Sequence, residues 1–143
     1  MSTSEISDVA RQMMEQGLDF GLRHAKARID FMPFLLVQSD KPQIVEFVPN
    51  DDTNDIVESA IEMARQAVIE LPNQTPYAIV RDGYFTHPTE GRSEAIMVEF
   101  GISGGIETHY VLQRYGRSVF LKRFRLVGRR AKLPTIVMRA KTP

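Results

Sequence analysis

The 143 residues hold 18 Lys/Arg against 18 Asp/Glu, with 43 % apolar residues and neither cysteine nor tryptophan. A chain of this length suits a single globular domain that removes about two-thirds of its unfolded surface from water, enough for a core without metals or disulfides. Lack of cysteine excludes a disulfide framework, a thiolate nucleophile and sulfur-ligated zinc or iron–sulfur sites, and no apolar run reaches the roughly 18 residues of a membrane span. With a polar start at Met1–Glu5 and no signal-peptide core, the expectation is a soluble cytoplasmic protein that uses no cofactor.

The first element is a helix over residues 4–28. Ile6, Val9, Ala10, Met13, Gly17, Phe20, Gly21 and Ala25 recur at helical spacing, with Met14, Leu18 and Leu22 widening the stripe. Ser2 and Glu5 form a capping-box pattern. Gly17 and Gly21 each weaken a helix by about 1 kcal/mol relative to alanine, so their presence predicts a close approach of another backbone or side chain to that face.

Residues 32–38 and 43–48 read as two short strands of a hairpin, separated by Ser39, Asp40, Lys41 and Pro42. A second helix follows, with Asp51, Asp52 and Thr53 as capping candidates. Its apolar positions Val57, Ala60, Ile61, Ala64, Val68 and Leu71 keep the helical period, and Pro72 and Asn73 end it. Its other face, Asp55, Glu58, Glu62 and Glu70, is acidic. Extended segments then occupy about 77–86, 94–102, 107–115 and 119–127, with turn chemistry between them at Pro88 and Gly91, at Ser103, Gly104 and Gly105, and at Gly116. In the second of these, Ile96, Val98, Phe100 and Ile102 share a buried face, and Ala95, Met97 and Glu99 share a partly wet one. Asp82-Gly83 fits either a two-residue hairpin turn or a bulge within one longer strand.

The order α-β-β-α-β-β-β-β gives an α+β two-layer sandwich: an antiparallel sheet of five to six strands with both helices on one face, forming one domain over 1–143. In element order it is similar to profilin-type and roadblock-type small domains, a likeness that no residue motif carries. The basic segment 128–143 has two open paths, since residues 132–139 can add a strand or cross the sheet.

Charge is unevenly placed. Residues 1–75 hold 6 Lys/Arg and 13 Asp/Glu, and residues 76–143 hold 12 and 5. Between Arg114 and Lys141 lie ten basic residues and no acidic one. Clustered guanidinium groups bind phosphate oxygens and release counterions, so Arg114, Arg117, Arg123, Arg125, Arg129 and Arg130 are candidates for a polyanion or nucleic-acid surface. The same charges also suit an edge strand that blocks aggregation, or pairing with the acidic first half within one molecule or across a dimer.

Signatures of chemistry are sparse. His24, His87 and His109 lack metal-site spacing, although His87 and His109 on neighbouring strands, joined by Asp82 or Glu107, would make a small acid–base or metal site. Ser103, in Gly101-Ile102-Ser103-Gly104-Gly105, fits a hairpin turn better than a nucleophile elbow. No phosphate loop or dinucleotide fingerprint occurs. An aromatic pocket around Asp82 would draw on Tyr77, Tyr84, His87 and His109. The resulting expectation is a non-catalytic binding or assembly module, a homodimer formed through an exposed sheet edge or the first helix, with nucleic-acid binding as the alternative and a histidine enzyme after it.

Overall fold

The computed structural model describes residues 8–38, 41–47, 55–105, 107–117 and 124–133. Along the chain run α1 (Asp8–Ala27), β1 (Phe34–Gln38), β2 (Pro42–Glu46), α2 (Ile56–Glu70), β3 (Pro76–His87), β4 (Gly91–Ile102), β5 (Thr108–Arg117) and β6 (Phe124–Leu133). The six strands form one antiparallel sheet of order β2-β1-β3-β4-β5-β6, so the expected element order and α+β class hold. β2 and β6 are the two edges. The capping candidates Ser2, Glu5, Asp51, Asp52 and Thr53 lie outside the described residues, and Asp55 precedes α2 without a side-chain cap.

The helices lie on opposite faces of the sheet, which corrects the expectation that they share one. Strands β1 and β3 are apolar on both sides. Phe34, Leu36, Ala78 and Val80 pack with Ala10, Met13 and Leu18 of α1. Their alternating neighbours Leu35, Val37, Tyr77 and Ile79 pack with Ala64 of α2. Successive side chains point to opposite faces, so the continuous apolar runs 34–37 and 77–80 each need a cover on both sides.

α1 sits close to the sheet, as its glycines require. A Cβ on Gly17 would fall 2.7 Å from a methyl of Val80, and one on Gly21 would fall 2.7 Å from a methyl of Ile96. Phe20, His24, Phe31 and Phe34 form an aromatic group on the side of α1 that faces the start of β1, with Phe20 stacked on His24 at 4.1 Å. The helix closes through a left-handed Arg28 (φ 58°), with Ile29 N–H donating to the His24 carbonyl at 2.9 Å.

α2 is held partly by charge. Arg65 donates two hydrogen bonds to the buried Glu99 carboxylate of β4, at 2.9 and 3.2 Å, and Arg81 of β3 donates to Glu58 at 3.1 Å. Glu99 raises the pKa of Arg65 above its ordinary value, chiefly through these hydrogen bonds. The face of β4 expected to be partly wet is therefore dry: Ala95, Met97 and Glu99 are all buried.

Strand β3 passes straight through Asp82-Gly83 with unbroken one-to-one pairing to β4, which excludes both the turn and the bulge. Of the last expected strand, residues 119–123 lie outside the described residues; β6 runs over Phe124–Leu133, so residues 128–133 extend it along β5. Among the described residues no helix is long and apolar enough to cross a membrane.

Candidate functional site

The strand register separates the residues considered for chemistry. His87 pairs with Gly91 and His109 pairs with Phe100, nine residues apart along β4, or roughly 30 Å at strand rise. Asp82, opposite Ile96, lies between them. Alternation puts Asp82, Tyr84 and His109 on the α1 face, and Tyr77 and His87 on the other. Each histidine has a structural contact: His24 Nδ1 lies 3.0 Å from the Phe20 carbonyl, and His109 lies beside the Phe100 ring. His87 Nδ1 accepts the N–H groups of Thr89 and Glu90 at 3.2 and 3.1 Å, which closes the β3–β4 turn. Tyr77 is buried, and desolvation raises its pKa against a hydrogen bond with Thr108. Arg92 lies over the Tyr84 ring at 3.9 Å. Ser103 staples a turn, donating to the Pro72 carbonyl and accepting from Thr75 N–H. Among the described residues no group of three His, Asp or Glu side chains can hold a metal.

Of the residues of the expected aromatic pocket, Asp82 lines a cavity. This hollow of about 360 Å³ lies at the C-terminal end of α1, between Ala25, Arg28 and Asp30 on one side and Asp82, Glu94 and Tyr115 on the other. The buried Tyr115 hydroxyl bonds to both Asp82 oxygens, at 2.8 and 3.0 Å. Three of its seven lining residues are acidic, Asp30, Asp82 and Glu94, beside one base, Arg28; no sequence signal brings Glu94, Tyr115 and α1 to this place.

The basic segment divides. Arg114 is buried on β5 and pairs with Glu90, whose carboxyl it holds below the usual carboxylate range. Gly128 (φ 67°) opposes it, and a Cβ there would run into the Arg114 guanidinium. Between the pairs Leu112↔Ala131 and Arg114↔Val127, the single residue Gln113 faces three residues of β6, Gly128, Arg129 and Arg130. The Gln113 amide donates to the Arg114 carbonyl at 2.9 Å and lies 3.4 Å from the carbonyls of Val127 and Gly128. Arg117 ends β5, and Arg125 lies on β6 opposite Gly116. Arg123 lies outside the described residues.

The opposite edge is built differently. All five residues of β2 are exposed, with Ile44 and Val45 at 46 % and 37 % of their full area. Ile44 pairs with Leu36 and so lies on the α1 face, whereas Val45 pairs with Leu35 on the α2 face. The helices lie inboard of this edge, α1 over β3 and β4 and α2 over β1 and β3. On α2, Glu58 and Arg65 reach β3 and β4, so the flank about half a turn away, Ile56, Ser59, Met63 and Gln66, lies on the β2 side. On α1, the Phe20–Phe34 contact marks the β1 side, whose stripe carries Val9, Met13 and Gln16. Val9, Ile56 and Met63 are exposed. The α2 stripe is uncharged from Ile56 to Gln66, and the α1 stripe is uncharged from Val9 to Phe20 and then reaches Arg23. The alternation of the 34–37 and 77–80 runs held the signal for this two-sided edge.

No protein-family model matches the chain, and no curated protein or solved structure is significantly similar to it.

Proposed function

We propose that this protein is a cytoplasmic, non-catalytic assembly module that docks another chain along β2. The observation that carries the reading is the exposure of Ile44 and Val45, one on each face of an edge strand. An edge strand presents unpaired N–H and C=O groups that template further pairing, and proteins usually protect such strands by shortness, proline, charge, bulges or a covering segment; β2 is short, with its one proline, Pro42, at the first position. In β2 the charged residues Lys41 and Glu46 stand only at the ends, and the pairing to β1 is regular. The other docking surface expected from sequence, α1, offers less, because its outer side carries Arg11, Glu15, Asp19 and Arg23, the last two paired at 2.9 Å. The absence of cysteine makes a direct test simple. A benzophenone on Val45→Cys should form photo-adducts in an extract of the producing cells, and the same label on Glu15→Cys should not. Adducts at neither position, or at both equally, contradict the reading.

A second reading, polyanion binding at the opposite edge, is favoured by the position of Arg125, Arg129 and Arg130 on the edge strand β6. Arg114 is already engaged by Glu90, so these three and Arg117 would carry the contact. Anisotropy of labelled oligonucleotides should then fall steeply between about 50 and 200 mM salt, and Arg129→Ala with Arg130→Ala should flatten that slope. Binding that is absent at low salt removes this reading.

A further inference from the structure

We propose that the hollow at the C-terminal end of α1 is a binding site for a small dibasic amino acid, a molecule with one carboxylate, two cationic groups and an aliphatic stem. Ile44 and Val45 do not line it, so this site stands or falls apart from the docking edge.

The sheet builds one wall. Glu94 pairs with Tyr84 on one side and Tyr115 on the other, and Asp82 is its diagonal neighbour on the same face, about 7–8 Å away. The hydroxyl of Tyr115, a side chain only 1 % exposed, reaches the Asp82 carboxylate at 2.8 and 3.0 Å and fixes where that charge stands. Asp30, just beyond α1, adds a third carboxylate from the other wall. The three line one hollow without gathering on one point, since among the described residues no three acidic or histidine side chains could share a metal ion. Negative charge spread in this way suits two separated cations better than a single ion.

Arg28 supplies the opposite sign. Among the described residues no ion pair joins it to Asp30, Asp82 or Glu94, although all four line the same hollow. Opposite charges held around a cavity without closing on each other are preorganised for a guest that carries both. The backbone beneath the guanidinium is pinned, with Arg28 N–H donating to the Ala25 carbonyl at 3.1 Å and Ile29 N–H to that of His24 at 2.9 Å. At φ 58° Arg28 occupies the left-handed helix-end position that glycine usually fills, so an arginine there trades backbone ease for a charge at the rim. A guanidinium offers a carboxylate two parallel hydrogen bonds.

Charge and size then select the guest. Three carboxylates against one guanidinium leave two negative charges, and the C-terminal end of α1 adds partial negative charge. A diamine would set a cation against Arg28, and an amino acid with an apolar side chain would answer only one of the carboxylates. A dibasic amino acid places its carboxylate on Arg28 and its two cations among the acids. Its stem lies along Ile29, which is 54 % exposed at the rim. The volume of about 360 Å³ falls at the small end of ligand sites, about 300–1,000 Å³, as a molecule of this size requires.

Calorimetry on the full chain tests this with three probes: L-lysine, cadaverine, which lacks the carboxylate, and L-norleucine, which lacks the terminal ammonium. At about 150 mM salt, where pairing between exposed charges is largely screened, lysine should bind saturably and each analogue about tenfold more weakly or worse. Amide shifts should map the lysine site to residues 25–30 and leave β2 unchanged. Arg28→Gly removes the guanidinium in a conformation that glycine adopts freely, so the fold should be kept. It should bring lysine down to the level of cadaverine without weakening cadaverine. Glu94→Gln should weaken both. The proposal is overturned by the lack of a saturable lysine signal up to about 20 mM, by an analogue that binds as tightly as lysine, by shifts confined to another part of the surface, or by lysine binding that Arg28→Gly leaves intact.

Discussion

The two edges of this sheet solve the same problem in opposite ways. β6 is irregular: three residues face Gln113, a left-handed Gly128 sits against Arg114, and the amide of Gln113 donates to the Arg114 carbonyl and lies 3.4 Å from that of Gly128. Basic residues lie along it, although Leu126 is exposed there. β2 is regular and short, and it presents Ile44 and Val45 to water. An edge that must stay unpaired carries bulges and charge, and an edge that is to be paired does not. The contrast supports the proposal that β2, rather than β6, is the edge that docks a neighbour.

The flanks of α2 repeat this division, and the largest predicted effect lies there. Arg65→Ala strips the buried Glu99 of the partner that donates to both its oxygens. Breaking a buried pair costs about 3–5 kcal/mol, which the partial exposure of Arg65 reduces to roughly 2–3 kcal/mol. Urea unfolding should show that loss, whereas Met63→Gln on the β2 side should stay within about 0.5 kcal/mol. Equal losses would erase the distinction between the flanks.

Next in size is the lock on β6. Gly128→Val places a β-branched residue at φ 67° and drives its Cβ into the Arg114 guanidinium, so a loss of about 2 kcal/mol is expected, with the loss of amide protection confined to β5 and β6. Loss of protection at β2 as well would mean that the two edges are not independent.

The smallest effect is pH dependence. Arg114 depresses the pKa of Glu90 in the folded protein, so the contribution of this pair is complete above the ordinary carboxylate value near 4.5 and is lost as pH falls through the lower folded value. Amide exchange along β5–β6 should quicken in that acid range while β2 does not change. The raised pKa values of Tyr77 and Tyr110, both chiefly from burial, act at the other end: stability is complete below pH 10 and declines above it.

Much of the architecture was legible because it follows from period and punctuation. The α1 stripe, the α2 stripe ending at Pro72, and the turns at Gly91 and Ser103–Gly105 all have local causes. The close packing at Gly17 and Gly21 was legible from helix propensity alone. The assignment of both helices to one face failed because it passed over the unbroken runs Phe34–Val37 and Tyr77–Val80, which need a cover on both sides. The site was less legible still. Arg81 and Glu99 interrupt apolar strands, a signal of buried ion pairs, but their partners Glu58 and Arg65 are named only by the crossing of α2 over β3 and β4. His87 and His109 were brought together on paper by strand adjacency, and the register then placed them at opposite ends of the sheet.

The central claim is that β2 is the edge built for a neighbour. Sedimentation velocity of the full chain between about 1 and 200 µM, beside a variant carrying both Ile44→Lys and Val45→Lys, tests it most directly. The account predicts a concentration-dependent dimer that the double variant abolishes while keeping the fold and its urea midpoint at low concentration. A dimer indifferent to both lysines, or a wild-type monomer whose benzophenone-labelled Val45→Cys form also yields no photo-adducts in an extract of the producing cells, would contradict it.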